Sequence, residues 1–169
     1  MSRLDRCILS LILLAIICAF PTMSHAGKTQ AVRQDAELVV HTAALGLSGI
    51  LKNVQERQDQ IAMIRNYVAS IRFFPDLSGY FYVFDMDGNC IAHPVQKDLE
   101  GQYLYDLKDV DGFLLVQALI KATRNGGGFV EYKWEKPGSD GLFEKLGYVE
   151  PIPGTNYLIA SGIYLPEPW

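Results

Sequence analysis

The sequence predicts an α+β domain in which a long helical region precedes an antiparallel β-sheet. Residues 30–74 contain no proline, and their apolar side chains recur at helical spacing. From residue 79 onward the pattern changes to short runs of aromatic and β-branched residues, which Gly, Pro, Asn and Asp separate. A chain of 169 residues is long enough to give one such domain a substantial core.

The helical region allows two arrangements. Gly46 and Gly49 weaken its middle, so either a kink or two helices in series is expected. Pro75 disfavours helical geometry in the residue before it, which predicts that the helix ends near Phe74. The apolar face of the second half is formed by Ile61, Ile64, Val68 and Ile71.

The sheet region contains strand-like runs and one short helix. Residues Phe113–Arg124 predict that helix, with Asp109 or Asp111 as its N-cap. The predicted strands are Tyr80–Asp85 with Cys90–His93, Gly128–Lys136, Phe143–Glu150 and Tyr157–Tyr164.

Residues 1–26 have the three parts of a secretory signal peptide. Arg3 and Arg6 give a basic start, the apolar run Cys7–Phe20 is short for a membrane span, and a small residue, Ala26, follows. We expect cleavage after Ala26, which leaves 27–169 as one exported domain with a helical region, 30–74, and a sheet region, 79–165. The alternative is an uncleaved N-terminal anchor that holds the same domain outside the membrane.

Composition excludes several classes of function. The formal net charge is −4 at pH 7, without the basic stripe of a nucleic-acid-binding protein. Two of the three cysteines lie in the predicted signal peptide, so Cys90 has no partner for a disulfide. Three histidines and one cysteine do not make a spaced metal cluster, and no metal or other cofactor is expected. An exported domain of this kind suits a bacterial periplasm.

The hairpin sequence GYFYVFDMDGNCIAHP, residues 79–94, indicates a binding surface. Asp87-Gly88 predicts a two-residue loop, in which Tyr82 pairs with His93. Because side chains alternate across a sheet, the two faces then differ in character. The first face is aromatic with polar tips, as small-molecule sites are; it carries Tyr80, Tyr82, Phe84, Ile91 and His93. The second face is apolar and suits packing against a helix; it carries Phe81, Val83, Cys90 and Ala92.

Two other interpretations of the hairpin are weaker. Cys90 and His93 could form a nucleophile–base pair, but residues three apart on a strand point to opposite faces. Alternating Asp85, Asp87 and Asn89 suggest a calcium loop, but the glycine and glutamate that an EF-hand needs are missing. The sequence therefore predicts a protein that is not an enzyme and holds no metal.

The motifs GYFYVFDMDGNCIAHP, LEGQ, DVDG, GGGFVEYKWEKPG and KLGYVEPIPGTNYLIASGIY occur in this order. Together they resemble the single Cache domain, an extracytoplasmic sensor module of bacterial chemoreceptors and histidine kinases, over residues 31–165. The resemblance implies a long N-terminal helix packed on a PAS-like antiparallel sheet, with a ligand pocket on the other side. It also implies binding of a small organic acid of the acetate, propionate or pyruvate class, without catalysis.

A bound carboxylate needs charged hydrogen-bond donors when it leaves water. Arg72, at the end of the helical region, is one candidate, and its alternative is a solvated cation. Lys145 lies in an otherwise apolar strand and matches a recurrent lysine of the family; its alternative is a charge at the sheet edge. Lys145 and Tyr148 are three apart, so only a bulge at Gly147 would bring both into one pocket. The remaining candidate pocket residues are Tyr80, Tyr82, His93, Tyr132 and Trp134.

The chain departs from the family pattern in two places. Family receptors continue into a second transmembrane helix and a signalling part, whereas this sequence stops at Trp169; Asn156-Tyr157 stands where the family often has tryptophan. We therefore expect a membrane receptor or histidine kinase as partner, with a homodimer through the long helix as a further possibility. The alternative function is a protein-interaction module with a vestigial pocket.

Overall fold

The computed structural model describes residues 25–165, with side chains from residue 30 onward, so the predicted signal peptide lies almost wholly outside the described residues. A five-stranded antiparallel sheet has the strand order β2-β1-β5-β4-β3. The elements are α1 (His25–Leu51), α2 (Arg57–Ala69), β1 (Tyr82–Asp85), β2 (Cys90–Ala92), a 3₁₀ turn (Lys97–Leu99), α3 (Leu115–Arg124), β3 (Gly128–Glu135), β4 (Leu142–Pro151) and β5 (Tyr157–Tyr164). Helices followed by an antiparallel sheet confirm the predicted α+β fold.

The helical region consists of two helices in series. The break lies at residues 52–56 and not at Gly46 or Gly49, which stay helical. Helix α2 ends at Ala69, earlier than predicted, because Phe73 and Gly79 pair across a turn that starts before Pro75. Within residues 25–165, none of the helices is both long and apolar enough to cross a membrane.

The sheet separates two apolar cores. The first, called the helix-side core, packs α1 and α2 against one face of the sheet. The second, called the pocket-side core, packs α3 and the segment before it against the other face. Helix α3 contributes its strongly apolar side to this second core through Leu115, Val116, Leu119 and Ile120.

The hairpin differs from its predicted register. Asp85 pairs with Asn89 through a backbone hydrogen bond, so the loop has three residues and not two. Gly88 closes it with a φ of 98°, the left-handed geometry that a glycine adopts freely. Val83 still pairs with Ala92 as predicted, but a bulge follows it, so that Phe84 pairs with Cys90.

The bulge exchanges two side chains between the faces of the sheet. Cys90 belongs to the pocket-side core and Ile91 to the helix-side core, the reverse of the prediction. The physical reason is the period of two along a strand, because one inserted residue reverses the facing of its neighbours.

Helix α3 begins at Leu115, two residues later than predicted, and Leu114 is its N-cap without a side-chain hydrogen bond. The predicted caps act elsewhere. The carboxylate of Asp109 accepts hydrogen bonds from the amides of Asp111 and Phe113 and so shapes the loop before the helix.

Candidate functional site

A pair of glycines opens space in the middle of the sheet. Gly147 on β4 and Gly162 on β5 are register partners. A Cβ atom on Gly162 would lie 2.8 Å from Cε of Lys145. A Cβ atom on Gly147 would lie 3.2 Å from the hydroxyl of Tyr82 and 3.4 Å from that of Tyr132. The two glycines therefore leave room for a lysine stem and two tyrosine hydroxyls on the same face.

Lys145 is enclosed by tyrosines. Its side chain is only 1% exposed, and Nζ donates a hydrogen bond of 2.9 Å to the hydroxyl of Tyr80. Nζ lies 4.1 Å from the ring centroid of Tyr80, 4.8 Å from that of Tyr164 and 5.3 Å from that of Tyr82. Among residues 30–165, no carboxylate lies within 4.0 Å of this amine. Burial lowers the pKa of Lys145 well below its usual range.

His93 lies beside this cage with a defined tautomer. Its ring centroid is 5.3 Å from that of Tyr80, and the residue is 3% exposed. Nδ1 accepts a 2.9 Å hydrogen bond from the backbone amide of Gln96, so Nε2 carries the proton of the neutral ring. Burial is the main cause that lowers the pKa of His93 to about 3.

This depressed pKa predicts a pH dependence of stability. The folded ring stays neutral down to a pKa of about 3, whereas the unfolded ring takes up a proton near 6.5. Between these two pKa values the unfolded state binds more protons than the folded state. The free energy of unfolding therefore has its full value above about pH 6.5 and decreases as the pH falls below it. Between pH 7 and 5 the free energy of unfolding should fall by about 2 kcal/mol more in the wild type than in His93→Gln. Urea unfolding at both pH values measures this, and equal losses in the two proteins would contradict it.

The cavity next to Lys145 is small and mostly apolar. The hydroxyls of Tyr82 and Tyr132 hydrogen-bond to each other at 2.7 Å and satisfy each other's polar groups there. The cavity measures about 10 Å³, the space of about one water molecule. Its lining consists of Tyr80, Tyr82, Phe84, His93, Leu99, Leu107, Leu115, Tyr132 and Trp134.

Leu99 and Leu107 close the cavity from the segment between β2 and α3, residues 93–114, which we call the cover. Leu115 closes it from the first residue of α3. Residues 101–104 of the cover run along the hairpin, where the amide of Cys90 donates to the carbonyl of Gln102 at 2.9 Å. Glu100 fixes the start of the cover, because its carboxylate accepts from the amide of His93 at 3.0 Å and lies 3.3 Å from Nε of Arg65 on α2. The cover is thus tied both to the hairpin and to a helix on the other face of the sheet.

The structure separates the remaining candidate residues. Arg72 is half-buried and its guanidinium donates to backbone carbonyls, at 2.7 Å to Ile71 and at 3.3 Å to Pro94, so it braces the end of the cover and does not line the cavity. Tyr148 packs against Phe129 on the helix side of the sheet. The pairing of β4 is regular through Gly147, so there is no bulge in that part of the strand to turn Tyr148 toward Lys145. Tyr148 is therefore removed from the candidate site.

Cys90 needs a different argument from the one its sequence spacing suggested. The bulge places it in the pocket-side core, so the expectation that Cys90 and His93 point to opposite faces is wrong as a reason to separate them. Burial raises the pKa of Cys90 to about 12, which keeps the thiol protonated. A protonated, fully buried thiol is a poor nucleophile.

Sequence reasoning missed four residues around the site. Tyr164 completes the cage around Lys145, and strand alternation from Gly162 gives a signal for its facing. The leucines of the cover and of α3 lie in or next to an irregular segment, where no periodicity indicates which side chains point inward. The missed residues are Leu99, Leu107, Leu115 and Tyr164, whereas Phe84 lines the cavity from the aromatic face on which the hairpin pattern placed it.

Comparison with known proteins gives consistent matches. A family model described as Single Cache domain 2 matches residues 24–167. The chain is 38% identical over 89 residues to the sensor histidine kinase MctS of Rhizobium johnstonii, covering 53% of this chain and 19% of the kinase. It is 27% identical over 162 residues to the methyl-accepting chemotaxis protein McpP of Pseudomonas putida, covering 95% of this chain and 29% of that protein. The chain thus spans less than a third of the length of either relative.

Solved structures with the same architecture include two sensor domains. A structure described as the basis for carboxylic acid recognition by a Cache chemosensory domain has a TM-score of 0.72 at 26% identity, covering 85% of this chain and 99% of the other. A periplasmic sensor domain of a chemotaxis protein has a TM-score of 0.71 at 28% identity over the same shares of the two chains. A methyl-accepting chemotaxis protein from Vibrio parahaemolyticus has a TM-score of 0.69 at 26% identity, covering 80% of this chain and 90% of the other.

Proposed function

The chain belongs to the single Cache domain 2 family, and from this premise we propose that it senses a small organic carboxylate outside the cytoplasm and passes the bound state to a membrane partner. The ligand class is that of acetate, propionate and pyruvate. The partner is a chemoreceptor or histidine kinase, the two kinds of protein found among its relatives. The signal peptide and its cleavage after Ala26 stay predictions from the sequence.

The observation that carries this proposal is a buried lysine amine without an acidic partner. Lys145 is enclosed by Tyr80, Tyr82 and Tyr164 at the edge of a cavity, and its only hydrogen-bond partner among the described residues is a neutral hydroxyl. Buried charges in proteins are normally paired. A carboxylate from outside the chain would supply the missing partner and would accept hydrogen bonds from the free N–H groups of Lys145.

The rest of the cavity suits a short apolar tail. Leu99, Leu107 and Leu115 line it together with the rings, whereas the amine of Lys145 lies at its edge against the ring of Tyr80. A monocarboxylate is therefore favoured over a dicarboxylate, whose second charge would lie against leucines without a partner. His93 offers its Nε2 proton as a second donor. The carboxylic acid recognition described for one structural neighbour supports the same ligand class.

Size sets limits on affinity. Very small ligands gain at most about −1.5 kcal/mol per heavy atom, so acetate reaches roughly −6 kcal/mol, a dissociation constant of tens of micromolar. The cavity of about 10 Å³ is smaller than any of these acids. Binding therefore requires the cover or the rings to move, and the free energy of that opening weakens the observed affinity further.

A thermal-shift screen of residues 27–169 tests the proposal. Acetate, propionate, pyruvate and lactate are compared with succinate, glycine and ethylamine. A ligand at 100 times its dissociation constant adds about 2.7 kcal/mol to the free energy of unfolding, which raises the melting temperature by several degrees. We expect shifts with the monocarboxylates that disappear in Lys145→Met.

Lys52→Met is the matched control, because Lys52 is exposed and lies outside the cavity lining. Lys145→Met is expected to fold, since methionine replaces an unpaired buried amine with an apolar side chain of similar length. If the shift persists in Lys145→Met, the lysine does not hold the carboxylate. If no monocarboxylate shifts the wild type, the sensor proposal fails.

The second candidate function is a protein-interaction module with a vestigial pocket, and the long helix favours it. Leu38 and Leu45 are 65% and 52% exposed on α1 and lie two turns apart on one face. This face would serve a second copy of the chain or a receptor. Silence across the carboxylate panel, together with a dimer in sedimentation that Leu38→Lys disrupts, would favour this second function.

A further inference from the structure

The surroundings of Lys145 contain few charges. Its hydrogen-bond partner is the hydroxyl of Tyr80, which is neutral at physiological pH, and the neutral ring of His93 lies beside that tyrosine. Arg72 adds positive charge near His93 and Tyr80, and the carboxylate of Glu135 is held by Gln96 at 2.8 Å. The titratable and charged groups that face this region are Tyr80 before β1, Tyr82 on β1, His93 after β2, Tyr132 and Glu135 on β3, Tyr164 on β5, and Arg72 after α2.

A charged amine in this position would be costly. Taking an ammonium ion out of water without a counter-ion is unfavourable even after the surrounding protein relaxes. Attraction to the three tyrosine rings offsets part of this cost, and the hydrogen bond to the hydroxyl of Tyr80 is open to the neutral amine as well. The balance favours the neutral amine in the empty domain, in agreement with the lowered pKa of Lys145.

A bound carboxylate reverses this balance. Its negative charge lies next to Nζ in a site that excludes water, so the ammonium–carboxylate pair is favoured over an amine beside an unpaired anion. The proton for that pair must come from solvent. The number of protons is the same whether the proton stays on Nζ or on the carboxyl oxygen.

Resting on the proposed function, we propose that this domain binds its carboxylate together with one proton, which Lys145 accepts on binding. The free ligand is an anion, the free lysine is an amine, and the complex holds one proton more than the two together. The carboxylate therefore binds more tightly at low pH. Where the amine is neutral in the free domain and charged in the complex, affinity should fall about tenfold for each unit of rising pH.

Calorimetric titration of residues 27–169 with sodium propionate at pH 8 counts the proton. The same titration is run in phosphate and in Tris, which differ strongly in heat of ionisation. The difference in binding heat divided by the difference in ionisation heat gives the protons taken up, and we expect about one per propionate. NMR of the protein labelled with ¹³C at lysine Cε then shows where the proton is bound, since the chemical shift of Cε reports the charge of the amine. The signal of Lys145 is the one that is absent from Lys145→Met.

The possible outcomes separate this inference from the proposed function. Binding heats that do not depend on buffer, with propionate still bound, would overturn proton coupling and leave the sensor function intact. Proton uptake with an unchanged Cε shift for Lys145 would place the proton on another group, such as His93, and would also overturn it. No binding in either buffer would end the proposed function and this inference with it. Uptake of about one proton per propionate, together with a shifted Cε signal of Lys145, supports both the sensor function and proton coupling.

Discussion

Replacing Asp85 with alanine should lower the free energy of unfolding by about 3 kcal/mol. The side chain is fully buried, and its carboxylate accepts from the amides of Asp87 and Asn89, from the Asn89 side chain and from Arg57, at 2.8 to 3.1 Å. Burial alone would raise the pKa of Asp85, but the bonds from Asn89 and Arg57 outweigh it and leave the pKa lowered. Alanine would strand these donors inside the hairpin.

The comparison with Arg57→Met separates two explanations for this loss. Arg57 is 51% exposed, so its ion pair with Asp85 is screened and should be worth about 1 kcal/mol or less. Urea unfolding at pH 7 measures both variants, and we expect Asp85→Ala to lose about three times as much as Arg57→Met. Equal losses would show that the ion pair, and not the organisation of the turn, is the main contribution of Asp85.

The same residue explains why the sequence predicted the hairpin but not its register. Asp87-Gly88 correctly indicates a turn, and this signal does not depend on the rest of the chain. The loop length depends on where Asp85 finds its donors, which is a contact pattern and not a propensity. The bulge after Val83 then decides which of Cys90 and Ile91 faces the pocket, and a one-residue slip cannot be seen in the alternation of an apolar strand.

The prediction of the site divides in the same way. In strands that pair regularly, the period of two determines which face of the sheet each side chain occupies. This rule already placed Lys145 and Tyr148 on opposite faces unless a bulge intervened. Arg72 lies after a helix end, where no periodicity indicates direction, and only its contacts with Ile71 and Pro94 show that it braces the backbone. The leucines of the cover are unpredictable for the same reason.

Replacing Gly162 with alanine should lower the free energy of unfolding by about 3 kcal/mol, because the glycine makes room for Lys145. The same change should weaken the proposed binding of a carboxylate. The added Cβ would lie 2.8 Å from Cε and 3.0 Å from Cγ of Lys145, and 3.0 Å from the carbonyl oxygen of Leu146. The stem of Lys145 is fully buried, so it cannot turn into solvent to relieve the contact. The amine must leave its cage, or the strands must separate. Gly128→Ala is the control on β3, since its Cβ would meet only Ala122 at an ordinary 3.7 Å.

A double-mutant cycle shows whether the lysine is the cause of this cost. In Lys145→Ala the clashing Cγ and Cε atoms are absent, so Gly162→Ala should cost about 1 kcal/mol there, with only the Leu146 carbonyl still close. The two changes should therefore couple by about 2 kcal/mol, well above the error of urea unfolding. If Gly162→Ala lowers the free energy of unfolding equally in both backgrounds, glycine is needed there because of the backbone of Leu146. The position of Lys145 would then not depend on Gly162. Strong coupling would instead show that the absence of a side chain at Gly162 on β5 is what leaves room for the side chain of Lys145 from β4.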